Sequence, residues 1–368
     1  MLFLIILVLV LVAIVVFFAV APQVGAKASG KRWQIIQSSP QYKNGKFENM
    51  IKTNLDLSLR TMFKTFYDMV NGKEERVPAK PIHTKKFDKE LFNGLGNGTT
   101  AVIAWFGHST VLIKIHGKVF LTDPVIVGKR ASMLSSIGPQ RFEYSHPLDL
   151  DELPGIDVIL LSHDHYDHLD YPTIVKIKDT VKHFIVPIGV GAHLEKWGVP
   201  ASQVQEFDWW EQFAFGPEIT LACVPSRHFS GRTPTGRDRS LWCSWIIKGR
   251  VQQIYFGADS GYSPSFKEIG DRYGPFDICL LECGAYSKHW PHIHMMPEET
   301  MQAFLDLKGK TLLPIHWAKF SLSLHGWTEP VQRLRQAATP HGAKVLTPRI
   351  GQAIQVGVDF VQEAWWEE

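Results

Sequence analysis

Leu161-Ser162-His163-Asp164-His165-Tyr166-Asp167-His168 is the stretch on which the reading of this chain turns. It follows residues 156–161, a short continuous apolar run of the kind that forms a buried strand. Four candidate metal ligands, His163, His165, Asp167 and His168, stand within six residues at the end of that strand. A strand holds the loop rigidly, and the loop fans its side chains into a cleft. His163 and His165 are two apart, so in an extended segment they point the same way. Asp167 and His168 follow after a turn and can serve a second ion nearby. Histidine nitrogen and carboxylate oxygen are the ligands that catalytic zinc takes. A merely solvated loop would have no reason to gather three histidines and two aspartates here.

One cluster does not saturate two ions, so further ligands are expected elsewhere. Three candidates each follow a strand-like run. His228 closes Pro225-Ser226-Arg227-His228 after 219–224. Asp259 lies in Phe256-Gly257-Ala258-Asp259-Ser260-Gly261 after 254–258. His316 lies in Pro314-Ile315-His316-Trp317 after 312–315. Any one alone reads as readily as a capped or surface residue. In this order, behind an H-x-H-x-D-H core, they read as a ligand set.

Around these motifs the chain is ordinary in composition. Its 368 residues are 45% hydrophobic and 20% charged, enough for a sizeable core. The net charge of +3 and the lack of a basic stripe argue against nucleic acid as a partner. Cys223, Cys243, Cys279 and Cys283 sit in apolar, strand-like runs without a C-x-x-C pair, as buried reduced thiols do.

Residues 1–21 carry no charged side chain and are long enough to cross a bilayer as one helix. A cleaved leader would open with Lys or Arg. Here Lys27, Lys31, Arg32, Lys43 and Lys46 come afterwards, before the first acid at Glu48. The expectation is an uncleaved, single-pass transmembrane anchor with the rest of the chain in the cytoplasm. A leader cut at Val24-Gly25-Ala26 is the alternative.

Residues 22–46 read as a polar, basic linker. Residues 47–70 show apolar positions at helical spacing. That helix packs on the main domain or, alternatively, lies on a membrane. From 101 onward the pattern is β-rich. Strands are expected at 101–106, 111–115, 119–121, 156–161, 219–224, 242–247, 254–258, 276–281 and 312–315. Helices are expected at 173–177, 192–197 and 297–307, with another starting at Ser263-Pro264. Many strands with helices inserted at intervals suit two packed sheets covered on the outside by helices.

Taken together, the H-x-H-x-D-H core and the three later ligands resemble the metallo-β-lactamase superfamily over about 100–356. The resemblance implies an α+β fold, the αββα sandwich, with a dinuclear site along one edge of the sheets. It implies two Zn²⁺ per chain: His163, His165 and His228 on one, Asp167, His168 and His316 on the other. Asp259 would bridge them and act in catalysis, orienting the nucleophile or taking its proton. Asp123, in Leu121-Thr122-Asp123-Pro124, would support a ligand histidine through a hydrogen bond. Further motifs resemble the N-acyl-phosphatidylethanolamine phospholipase D branch. They include Trp105-Phe106-Gly107-His108-Ser109-Thr110, Gly138-Pro139-Gln140-Arg141-Phe142, Asp208-Trp209-Trp210-Glu211, Gly274-Pro275-Phe276-Asp277 and Gly284-Ala285-Tyr286. The chain departs from the animal enzymes at Asp164, where they have Asn, and in its long apolar N-terminus.

The resemblance implies hydrolysis of a membrane phospholipid to N-acylethanolamine and phosphatidic acid. Tyr166 and His294 are the candidate substrate contacts, and His108 a supporting residue near the metals. The expected organisation is an anchor over 1–21, a linker and juxtamembrane helical segment over 22–98, the catalytic domain over 99–358 and a tail over 359–368. The expected partners are the phospholipid and the membrane, and a homodimer is left open. A lactonase or a small phosphorylated-metabolite hydrolase is the alternative enzyme. A non-catalytic membrane scaffold is the alternative class.

Overall fold

The computed structural model describes residues 1, 5–7, 9, 12, 16–18, 20–53, 58–96, 98–134 and 136–368. Before the sheets come α1 (Gly30–Ser38), a hairpin of β1 (Tyr42–Lys43) and β2 (Lys46–Phe47), α2 (Leu59–Asn71) and α3 (Lys89–Gly94). Strands β3 (Val102–Trp105), β4 (Val111–Ile115), β5 (Lys118–Thr122), β6 (Val158–Leu160), β7 (His183–Pro187) and β8 (Val204–Phe207) follow, with α4 (Tyr171–Ile177) and α5 (Gly191–Lys196) among them. The second half carries β9 (Gln212–Phe215), β10 (Ile219–Val224), β11 (Ser244–Lys248), β12 (Gln253–Phe256), β13 (Ile278–Glu282), β14 (Thr311–Ile315), β15 (Lys344–Val345) and β16 (Ala353–Gln355). Its helices are α6 (Ser265–Tyr273), α7 (Pro297–Asp306) and α8 (Glu329–Ala338).

Among the described residues the strands form two mixed seven-stranded sheets, ordered β16-β3-β4-β5-β6-β7-β8 and β15-β14-β13-β12-β11-β10-β9. Each is antiparallel on one side and parallel on the other. Side chains alternate across the first sheet as the strand period requires. Ile103, Trp105, Ile113, Phe120, Val158 and Leu160 join the core shared with the second sheet. Val102, Ala104, Leu112, Leu121 and Ile159 pack instead with Ile174, Ile177 and Leu194 of α4 and α5. Both faces are covered, which is why these strands read as unbroken apolar runs. This is the expected sandwich of two sheets between helical layers.

Parallel register brings strand ends together. Thr122 pairs with Leu160, Phe256 with Leu280, and Glu282 with Ile315. The residues just beyond β5, β6, β12 and β14 therefore emerge at one edge, and these are the residues singled out by sequence.

Several expectations need correction. Residues 22–46 are not a plain linker, since they hold α1 and the β1–β2 hairpin. The hairpin turns on Asn44-Gly45, both at positive φ (54° and 80°), the pair that such turns favour. Phe47 belongs to β2 and is buried, so the helix expected from 47 begins at Leu59. No residue of α2 is buried, so it does not pack as an ordinary amphipathic helix. Residues 54–57 of that stretch lie outside the described residues.

Among the described residues no helix is long and apolar enough to cross a membrane. The expected transmembrane helix falls in large part on residues outside them, namely 2–4, 8, 10–11, 13–15 and 19. At the other end Trp365 and Trp366 are buried, with Trp365 stacked on Trp317 at 5.2 Å between ring centroids. Arg349 holds this segment through Glu363 and Glu368. All four cysteines are free and buried.

Candidate metal centre

The side chains of the cleft project from strand ends where the backbone is bent into the left-handed region. His108 (φ 53°), Asp123 (34°), Ala258 (48°) and His316 (64°) all have positive φ without being glycine. Each such residue costs on the order of 1–3 kcal/mol, and the surrounding structure must hold it there. The holding contacts are visible. The His108 amide donates to the Trp317 carbonyl, and the His316 amide donates to that of His108, each at 3.0 Å. The loop after β3 and the end of β14 are thereby tied together.

Eight side chains from five segments form two groups in this cleft. One ligand atom from each of His163, His165, His228 and Asp259 lies within 4.8 Å of the others. The same holds for His108, Asp167, His168 and His316. Asp259 stands between the groups. Its Oδ2 is 3.5 Å from His228 Nε2 and 3.2 Å from His168 Nε2, and its Oδ1 is 3.1 Å from His316 Nε2. His163 Nε2 is 2.9 Å from His165 Nδ1.

The nitrogens facing away from the cleft are engaged behind it. His168 Nδ1 donates to Asp123 Oδ2 at 2.7 Å. Ser162 Oγ donates to the same oxygen at 2.6 Å and lies 2.8 Å from His163 Nδ1. His228 Nδ1 donates to the Ile293 carbonyl at 2.9 Å. With Nδ1 protonated, the Nε2 atoms of His163 and His228 turn their lone pairs into the cleft, and His168 Nε2 faces the same point. His168 Nε2, His316 Nε2 and Asp259 Oδ1 are buried there with no hydrogen-bond partner. Leaving such atoms unmatched costs about 1–3 kcal/mol each. The donor set, imidazole and carboxylate around a shared point, is one that a divalent cation fits.

Burial keeps the His163 and His228 imidazoles well below their ordinary pKa, and lowers His165 too. Burial also acts against His168 and His316, but nearby carboxylates overcome it. Asp259, Asp167 and Asp123 hold His168 well above the ordinary value. Asp259 and Asp167 push His316 up to about 10. Burial opposes ionisation of Asp167 and Asp259, yet the adjacent imidazoles hold both carboxyls well below the usual range.

Sequence and site diverge at three places. Glu282, at the end of β13, went unnoticed among apolar neighbours, yet it is fully buried beside the cleft. It shares a 2.7 Å hydrogen bond with His294 Nδ1, accepts from the Met295 amide at 2.9 Å, and lies 3.9 Å from His316 Nδ1. His294 is thus at the cleft, its ring 5.1 Å from those of His228 and His316. Tyr166 points elsewhere. Its hydroxyl donates to the Arg232 carbonyl at 2.7 Å, and its ring lies 4.0 Å from the Arg232 guanidinium carbon.

Arg232 is the second unforeseen residue. Its buried guanidinium donates to the carbonyls of Asp164, Leu169 and Gln23, clamping the metal loop at both ends to the segment after the apolar N-terminus. Asp164, the departure noted in the sequence, is not a ligand. It faces away from the cleft, accepting from the Gly231 amide and from Ser240 Oγ, with His193 beside it. His108, by contrast, meets the ligand set directly through a 2.9 Å hydrogen bond to Asp167 Oδ2.

Residues 119–317, more than half of the chain, match the family described as Beta-lactamase superfamily domain. The chain belongs to the metallo-β-lactamase superfamily. It is 40% identical to an uncharacterized protein of Mycobacterium tuberculosis over 93% of this chain and 91% of that one. It is 34% identical to N-acyl-phosphatidylethanolamine-hydrolyzing phospholipase D 1 of Caenorhabditis elegans, over 63% of this chain and 68% of that protein. In fold it is similar to Igni18, a metallo hydrolase of Ignicoccus hospitalis, at a TM-score of 0.55 and 20% identity, covering 71% of this chain and 100% of that one. The metallo-β-lactamase fold implies a divalent metal, and the cleft is where this chain gathers residues suited to one. The chain is a metal-dependent hydrolase of that superfamily, with phospholipases D among its relatives.

Proposed function

We propose that this chain is a dinuclear zinc phosphodiesterase of the phospholipase D type. Its substrate is N-acyl-phosphatidylethanolamine, and its products are N-acylethanolamine and phosphatidic acid. The observation that carries the substrate is the similarity to the nematode enzyme. The convergent histidines and aspartates support hydrolysis but would serve other esters equally well.

In this reading His163, His165 and His228 would hold one zinc ion, Asp167, His168 and His316 the other, and Asp259 would serve both. Bound there, the pair would lower the pKa of water, leave the site net positive toward an anionic phosphodiester, and offset charge growing at phosphorus. Asp259, which lies within 3.5 Å of His228, His168 and His316, would orient the attacking water or take its proton. Asp123 and Ser162 keep His168 and His163 in the tautomer that presents Nε2. His294, steadied by Glu282, contacts the phosphate. The proposal also locates the chain at a membrane through residues 1–21, on the strength of their apolar length and the basic residues that follow.

The test is a detergent-micelle assay of N-acyl-phosphatidylethanolamine beside a lactone and simple phosphodiesters. Release of N-acylethanolamine and phosphatidic acid is expected. Efficient lactone opening without release of either would replace the proposal with the lactonase reading.

A further inference from the structure

Helix α2 is amphipathic, but it is mounted the wrong way round for a soluble helix. At 100° per residue, Leu59, Met62, Phe63, Phe66, Tyr67, Met69 and Val70 fall on one side, and Arg60, Thr61, Lys64, Thr65, Asp68 and Asn71 on the other. The residues that touch the rest of the molecule are polar. Thr61, Thr65 and Asp68 are half-buried, and Asp68 binds His289 at 3.0 Å and Lys288 at 3.3 Å. The apolar side faces outward. Leu59 is 84% exposed, Phe63 72%, Val70 64% and Phe66 62%.

A helix of this length is marginal in water without a partner for its apolar face. Ser58 caps its start, accepting from the Thr61 amide, but a cap does not cover that face. Both ends of the segment run into the metal cleft. Asn49 bonds both the amide and the carbonyl of His228, and Thr53 accepts from Arg227. After the helix, the Glu75 carbonyl accepts from the Trp327 amide. The helix therefore lies over the ground between the His228 loop and the segment leading to His294.

We propose that the outward face of α2 is seated in the surface of a lipid bilayer, beside the mouth of the metal cleft. Two features favour lipid over a second copy of the chain as the cover for this apolar strip, which is about 20 Å long from the helical rise. Lys52, Arg60, Lys64 and Lys73 flank it against Glu74 and Glu75, a basic balance suited to anionic headgroups. The same chain also carries the apolar run of residues 1–21, long enough to reach across a bilayer. The proposal does not depend on what the enzyme hydrolyses.

The test uses the full chain bound to vesicles of phosphatidylcholine with a minority of phosphatidylglycerol. The four native cysteines are buried, so Phe66→Cys and Lys64→Cys each give one site for an environment-sensitive fluorophore. On vesicles the probe at 66 should shift to the blue and become protected from aqueous iodide, while the probe at 64 stays accessible. Introducing Phe63→Glu and Val70→Glu together should abolish that protection. These positions are exposed, so the thermal unfolding midpoint should hold, and it is measured alongside. Equal access of iodide to both probes in the vesicle-bound chain overturns the proposal. So does protection at 66 that appears without vesicles and grows with protein concentration, which would mark a second copy as the occupant. No turnover is measured, so failure of the phospholipase reading leaves this result interpretable.

Discussion

The two halves of the metal cleft are built from the same side chains under opposite electrostatics. On the side of His163, His165 and His228, burial dominates and the imidazoles are neutral. On the side of His168 and His316, the carboxylates of Asp167 and Asp259 overcome the same burial, and the rings hold protons at neutral pH. The first half offers lone pairs as it stands. The second must release protons before it can ligate. Asp259 touches both halves, so it is where the two environments are joined.

The largest effect is expected where the halves meet. Asp259→Asn should lower hydrolysis by about 10³-fold or more, roughly 4 kcal/mol of transition-state stabilisation, with circular dichroism unchanged. Next, His316→Ala should reduce bound metal from two per chain toward one by elemental analysis, the His163 half keeping its ion. Loss of both ions would show that the halves are not separable.

The third prediction concerns pH. In the metal-free protein, His168 and His316 have raised pKa values and are protonated around neutrality, so an incoming cation displaces their protons. Affinity in that half should therefore rise with pH toward about 10 and fall about tenfold per unit below neutrality for each proton displaced. Calorimetric titration in buffers of differing ionisation enthalpy reads the protons directly. Uptake or release of none would contradict the contrast between the halves. The smallest effect is expected behind the cleft. Glu282→Ala should reduce kcat by about tenfold, as removal of a supporting partner does. Glu282→Gln, which can still hydrogen-bond His294, should recover most of that loss, whereas a purely space-filling role would give no such recovery.

Much of this cleft was legible because its ligands crowd together in sequence or sit directly after apolar runs. His163 to His168 announce themselves, and His228, Asp259 and His316 repeat one pattern, a buried strand followed by a polar residue. Glu282 was not legible. It closes the run Ile278-Cys279-Leu280-Leu281, and it matters only because parallel register sets β13 beside β14 and His316. Strands β7, β8 and β9 were missed for a related reason. Short segments such as Gln212–Phe215 become strands by pairing with neighbours rather than by their own composition. Helix α2 shows the limit most plainly. Spacing reveals that a helix has two faces, but which face meets the protein depends on Asp68 finding Lys288 and His289, more than two hundred residues away.

The central claim, attack of water at the phosphorus of a membrane phosphodiester, is tested most directly by oxygen labelling. N-acyl-phosphatidylethanolamine is turned over in ¹⁸O-water, and both products are analysed by mass spectrometry. Phosphatidic acid should carry one ¹⁸O and N-acylethanolamine none. Label in a released fatty acid, with no phosphatidic acid formed, would contradict it and show that the cleft cleaves carboxylic esters or amides instead.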